Sequence, residues 1–178
     1  RRDIAAAYQR LEAIERQTFQ TACGPIEAAI RGQGEPVLIS HGIAGGFDQG
    51  LGLAEAHLSE GMQAISVSRF GYLGTPLPEN ALPAAQADAY LCLLDALKLD
   101  KVTVLANSAG GASAIQMALR HPDRVKALVL VSSVAPAAVV RSIALPPKPV
   151  IQVVFGSDFL MWLITTKFQS MMHATIGV

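Results

Sequence analysis

The sequence lacks any bias of charge: 14 Lys and Arg stand against 14 Asp and Glu, and charged residues make up only 16% of the chain. No basic stripe is available to hold nucleic acid or an anionic membrane surface, so the expected partner is an uncharged or weakly charged small molecule. Cysteine is scarce too. Cys23 and Cys92 lie in apolar surroundings without metal-ligand spacing and read as two buried thiols that say little about compartment. There is no phosphate-loop lysine pattern and no cluster of metal ligands, and the dinucleotide-like start Gly50-Leu51-Gly52 fails because its third glycine position is Glu55. No metal and no cofactor is expected. The longest apolar candidate, 150–163, is interrupted by Gln152, Gly156, Ser157 and Asp158, short of the roughly 18 uninterrupted apolar residues of a membrane helix. The chain therefore reads as soluble, without a membrane segment. It opens on Arg1-Arg2-Asp3 rather than Met, which leaves an upstream signal or anchor, and with it the compartment, open.

What is present is a rich interior. Of the 178 residues 51% are hydrophobic, enough for one domain with a sizeable core. Ile4, Tyr8, Leu11, Ile14 and Phe19 recur at roughly helical spacing, which predicts an amphipathic lead-in helix over residues 1–19. Two short extended stretches, 18–23 and 26–31, flank Gly24-Pro25 and predict a hairpin. From there apolar runs alternate with helical patterns: runs at 37–40, 64–68, 102–106 and 125–132, helices near 49–60, 84–97 and 109–121. Near-continuous apolar strands separated by helices are what a parallel sheet covered on both faces requires. The expected class is therefore α/β, a doubly wound, mostly parallel sheet over residues 20–135. Residues 136–178 differ in character, with an Ala-, Val- and Pro-rich stretch ending in Pro146-Pro147-Lys148-Pro149, then a greasy helical segment at 159–172.

The chemistry concentrates in "VLANSAGGASA", where Ser108 stands between the run 102–106 and a helix. A nucleophile on a sharp strand-to-helix turn needs small neighbours, and Ala106 and Gly110 hold the positions two before and two after it. The turn puts the backbone N–H of Ala109 at a helix N-terminus, where it can hold a developing oxyanion. A second donor is expected from the loop His41-Gly42-Ile43-Ala44-Gly45-Gly46 after the first core strand: the N–H of Ile43, with Ala44 as the alternative.

These segments resemble the α/β-hydrolase family, serine esterase/lipase-like branch. "VLISHGIAGG" looks like the family's strand and oxyanion loop, "SRFGYLGT" like its Arg-x-Gly-Tyr-x-x-Ser/Thr segment, and "ALRHPDRVKALVLVSS" like the return from helix to strand after the elbow. The first elbow glycine of the family pattern is Ala106 here, which keeps the size constraint. The resemblance implies an α/β-hydrolase fold, of which this chain carries the N-terminal part and the beginning of a helical cap, and a serine hydrolase acting on a carboxylic ester or related carbonyl compound. It implies Ser108 as nucleophile, Ile43 and Ala109 as oxyanion hole, and His41, Gly42 and Gly110 as supporting loop residues.

The family's acid and histidine follow the nucleophile on later strands. Asp158, in "VIQVVFGSDF", superficially fits the acid, but the sequence continues as an apolar helix and reads as a helix N-cap. His41 reads as a loop-orienting residue, His57 and His121 as surface or capping groups, and His173 as part of the cap. The acid and base are thus expected outside this chain, in a C-terminal remainder of the same protein, and a sheet without its last strands is expected to leave apolar surface and an edge exposed. Arg69 reads as a structural contact and Asp48 as an N-cap. The apolar block 159–164 reads as cap packing or as the lining of an acyl pocket, hence an apolar ester as substrate. Rival readings are a lactonase, C–C hydrolase or acyltransferase on the same machinery, and a non-catalytic binding protein that keeps the fold.

Overall fold

The computed structural model describes residues 2–133 and 147–167. They divide into two compact units, one of residues 14–133, the other of residues 2–13 and 147–167. The larger unit holds a six-stranded sheet of β1 (Gln17–Thr21), β2 (Gly24–Arg31), β3 (Glu35–Ser40), β4 (Met62–Val67), β5 (Val102–Asn107) and β6 (Val125–Val131), in the spatial order β1-β2-β4-β3-β5-β6. The β1–β2 hairpin is antiparallel and joins β4 antiparallel, whereas β4, β3, β5 and β6 run parallel. Helices α2 (Phe47–His57), α3 (Pro83–Ala96) and α4 (Gly111–Arg120) are the crossovers a parallel sheet needs. Alternation along β3 shows why both faces are apolar. Val37 and Ile39 pack with Ala54 of α2, while Leu38 packs with Tyr90 and Leu94 of α3 and Met117 of α4.

The core thus has the expected architecture. β6 lies at the edge of the sheet, and its successive residues Val129 and Leu130 are 45% and 41% exposed. Successive strand residues point to opposite faces, so among the described residues apolar surface is open on both sides of this edge strand.

Two expectations change in this part of the chain. The lead-in helix, α1 (Arg2–Glu12), is shorter than residues 1–19, and Phe19 belongs to β1. The β-branched and aromatic run around Thr18-Phe19 can pair with β2, and strand pairing there overrides helical spacing. Cys23 and Cys92 form a disulfide instead of remaining thiols. The tight turn between β1 and β2 carries Cys23 onto α3, where the two Cα atoms are 5.9 Å apart, within bridging range. Gly50, in the discarded nucleotide-like pattern, serves close packing: a Cβ there would overlap the Ser66 side chain beneath α2.

The smaller unit consists of α1, α5 (Lys148–Phe155) and α6 (Asp158–Lys167). Residues 148–155 are helical, so the segment before Asp158 is no strand and does not present Asp158 as an acid on a strand end. Asp158 is not the N-cap either. Ser157 Oγ accepts the Leu160 N–H at 3.3 Å, whereas the Asp158 carboxylate accepts the Tyr8 hydroxyl at 2.8 Å. Trp162 Nε1 donates to Asp3, which ties α6 to α1 a second time. Among the described residues no single helix is long and apolar enough to cross a membrane.

Candidate active site at the carboxyl ends of β3 and β5

Strand β3 has β4 on one side and β5 on the other, so the connections leaving β3 and β4 turn in opposite directions around it. In open α/β sheets such a reversal opens a crevice at the carboxyl ends of the strands, and ligands bind there. The loop 41–46 leaves β3 at that point, and Ser108 follows β5 at the same edge.

Ser108 has a φ of +49°, a left-handed conformation that costs a residue with a Cβ on the order of 1–3 kcal/mol. Only surrounding structure can hold it there. Gly110 explains how: a Cβ at this position would overlap the carbonyl oxygens of Ser40 and His41, so the absence of a side chain lets the elbow sit against the end of β3. Gly42 approaches from the other side, where an added Cβ would lie 3.2 Å from that of Ser108. The two loops are therefore pressed together around the serine. Ser108 and Ala109 are half-buried, and Ala109 is the second residue of the helical turn Ser108–Gly110 that leads into α4, where the first N–H groups have no intrahelical acceptor.

Three buried hydroxyls brace the elbow. Ser40 and Ser113 Oγ donate to the Gly110 carbonyl at 3.2 and 3.0 Å, and the Tyr90 hydroxyl lies 2.8 Å from Ser40 Oγ. Burial raises the Tyr90 pKa, so the phenol stays neutral and able to donate. On the oxyanion loop Gln49 reaches back from α2. Its Oε1 accepts the Gly42 N–H at 2.7 Å and its Nε2 donates to the Ile43 carbonyl at 3.2 Å. This arrangement consumes the Gly42 N–H and leaves that of Ile43 without an acceptor among the described residues. Ile43 is 59% exposed at the crevice.

His41 is fully buried and both its nitrogens are engaged. Nδ1 donates to the Gly42 carbonyl at 2.8 Å and Nε2 accepts the Arg69 backbone N–H at 3.0 Å. Burial pushes its pKa down to about 4, the Gly42 bond opposing the shift and the Arg69 charge adding to it. A neutral ring with its lone pair already committed has none left to take a proton from Ser108. Arg69 bonds the His41 carbonyl through Nη1 at 2.9 Å and lies over the Tyr72 ring, a structural contact of the kind expected. Asp48 sits inside α2 rather than at the N-cap, which is Gly46, and its carboxylate accepts the Gly46 N–H at 3.0 Å.

The other described histidines stand elsewhere. His57 ends α2, exposed, with Nδ1 on the Leu53 carbonyl. His121 pairs with Asp88 at 2.9 Å, but α4 separates it from the elbow by ten residues, about 15 Å of helix rise. His173 lies outside the described residues. The elements thus bring together Ser108, Ala109, Gly110, His41, Gly42 and Ile43. Sequence reading overlooked Gln49, Tyr90 and Gln86, since an amide or phenol on a helix carries no motif until the fold shows what it faces.

The comparisons with known proteins agree with this architecture. An alpha/beta hydrolase fold protein from Nakamurella multipartita superposes with a TM-score of 0.72 at 40% identity, over 92% of this chain and 56% of that one. An esterase from Exiguobacterium antarcticum superposes with a TM-score of 0.63 at 28% identity, over 71% and 48% of the two chains. The 2-hydroxymuconate semialdehyde hydrolase of Pseudomonas putida is 33% identical over 107 residues, 58% of this chain and 38% of that protein. The chain spans about 40% of the length of the first curated relatives it matches. A family model for the alpha/beta hydrolase fold covers residues 35–157, more than half of the chain, and with the sheet order and elbow above it places this chain in the alpha/beta hydrolase family.

Proposed function

We propose that the protein containing this chain is a serine hydrolase acting on a small-molecule carboxylic ester or related carbonyl compound through an acyl-enzyme. The observation that carries the reading is Ser108, held at φ +49° on the turn after β5 and pressed against the β3 loop. Ser108 Oγ bonds to the carbonyl carbon while its proton passes to a histidine. The oxygen that gains charge is held by the N–H groups of Ala109 and Ile43. Collapse breaks the ester C–O bond, the alcohol departs with that proton, and water, deprotonated by the same histidine, frees the acid and restores Ser108. Losing one such oxyanion donor typically costs about two to three orders of magnitude in turnover. Among the described residues His41, His57 and His121 are committed or remote, and with the chain spanning about 40% of its first curated relatives we assign the base and its carboxylate to a C-terminal remainder of the protein. We further propose an ester with an apolar acyl part, from the apolar composition of residues 159–164.

C–C bond hydrolysis on the same machinery is a second reading, favoured by the likeness to 2-hydroxymuconate semialdehyde hydrolase. Labelling of the full-length protein with a fluorophosphonate, followed by peptide mapping, tests the nucleophile. An adduct on Ser108 is expected; a folded, full-length protein that stays unlabelled would overturn the proposal.

A further inference from the structure

The N–H of Ile43, assigned above to the oxyanion, lies in the loop 41–46 between β3 and α2, outside any helix or strand. A donor of this kind is effective only when its direction is fixed before the reaction. Three successive peptide units pass through the stretch, and a side chain holds each. The Gly42 N–H belongs to the first and donates to Gln49 Oε1 at 2.7 Å. The Gly42 carbonyl belongs to the second and accepts His41 Nδ1 at 2.8 Å. In a planar trans unit the N–H points opposite the carbonyl, so this bond aims the Ile43 N–H away from the imidazole. The Ile43 carbonyl belongs to the third and accepts Gln49 Nε2 at 3.2 Å.

One amide, in the first turn of α2, therefore grips the units on both sides of the donor. The loop is shaped around it. A Cβ on Gly45 would lie 2.6 Å from Gln49 Cβ and 2.7 Å from its Nε2, and one on Gly42 would lie 3.2 Å from its Oε1. Between these glycines Ala44 takes a φ of +57°, a conformation that a residue with a Cβ keeps only where its surroundings impose it. A carboxamide presents the acceptor and the donor that the two flanking units need, whereas a carboxylate presents two acceptors.

We infer that Gln49 is the positioning residue of the oxyanion hole: by holding the peptide units on either side, its amide fixes the direction of the Ile43 N–H. The inference deepens the proposed hydrolase function and rests on it for its catalytic consequence, but the clamp itself can be read apart from it.

Turnover of p-nitrophenyl butanoate is compared in full-length wild type, Gln49→Leu and Gln49→Glu. Gln49→Leu keeps most of the bulk and removes both bonds. Its kcat is expected to fall about 10- to 100-fold, short of the full loss of a donor, with KM within about twofold of wild type. Gln49→Glu places an oxygen against the Ile43 carbonyl that repels it while ionised and donates to it once protonated. The ratio of its kcat to that of wild type is expected to rise about fivefold or more from about pH 8 to about pH 5.5, because a carboxyl facing a carbonyl titrates above its ordinary range. Protonation of the base histidine is common to both proteins and cancels in the ratio. A Gln49→Leu loss confined to KM, or a Gln49→Glu ratio that stays flat with pH, would overturn the inference. Amide hydrogen exchange in wild type, followed by NMR, reads the clamp without chemistry. The Gly42 N–H is expected to exchange at least about tenfold more slowly than that of Ile43 after correction for intrinsic rates, and equal exchange would overturn the inference even if both variants fail to fold. Slow Gly42 exchange in a wild type that neither hydrolyses the ester nor takes a fluorophosphonate would keep Gln49 as the residue that orders this loop and count against the hydrolase reading.

Discussion

His41 Nε2 accepts the backbone N–H of Arg69 at 3.0 Å, a bond that joins the loop after β3 to the loop after β4 and requires the imidazole to be neutral. The pKa of about 4 lies below the usual 6.5, so the unfolded chain binds the proton more tightly. The contribution to stability is fully present above pH 6.5 and is lost as pH falls through 4, by about 3 kcal/mol in total. Urea unfolding midpoints should fall between pH 6.5 and 4.5 in wild type, and this part of the fall should be missing from His41→Gln.

Ser108→Gly should separate stability from activity. Glycine adopts a φ of +49° freely, which relieves about 1–3 kcal/mol of strain but gives back about 0.4–1 kcal/mol through the unfolded chain. The variant should melt at or above the wild-type temperature while fluorophosphonate labelling disappears. A clear drop in melting temperature would show that the elbow is not strained.

Gly110→Ala should behave in the opposite way. The added methyl meets the backbone of β3, at the Ser40 and His41 carbonyls, where no side chain can swing aside. Overpacking of this kind costs about 1–3 kcal/mol or more, and displacement of the elbow should lower labelling of Ser108 as well. Differential scanning calorimetry and the labelling rate report the two effects.

The Cys23–Cys92 disulfide closes a span of 69 residues between the hairpin turn and α3. Chain entropy assigns such a bridge on the order of 4 kcal/mol. Iodoacetamide should leave the folded, non-reduced protein without alkylation at either cysteine and should modify both after reduction under denaturing conditions. Cys23→Ser should lower the melting temperature.

An apolar acyl pocket predicts that kcat/KM on p-nitrophenyl esters rises from acetate toward medium chain lengths. Each buried methylene contributes about 0.8 kcal/mol, close to fourfold. A flat or falling series would remove the apolar acyl group from the proposed substrate.

Much of the architecture is written in local pattern. The apolar runs ending at Ser40, Ser68 and Ala106, with helices between them, require a two-sided parallel sheet, because a strand apolar on both faces has no other way to leave water. Small residues on either side of Ser108 and a Gly-rich loop after β3 mark the elbow and its neighbour for a similar reason, since close backbone approach is a steric demand that residue size satisfies directly. What the chain could not disclose by spacing depends on which distant groups meet. Phe19 fell in both the expected lead-in helix and the expected hairpin, and pairing with β2 decided for the strand, while the two cysteines became a bridge because the hairpin turn rests on α3. His41 was excluded as a base by two hydrogen bonds, one of them from Arg69, 28 residues away. Gln86 had no sequence signal at all: its amide acquires meaning only where folding brings Oε1 to the Phe70 N–H, 16 residues away. Periodicity and size are local properties and survive in one dimension, whereas hydrogen-bond satisfaction, burial and charge pairing are properties of the packed interior and were decided by tertiary structure alone.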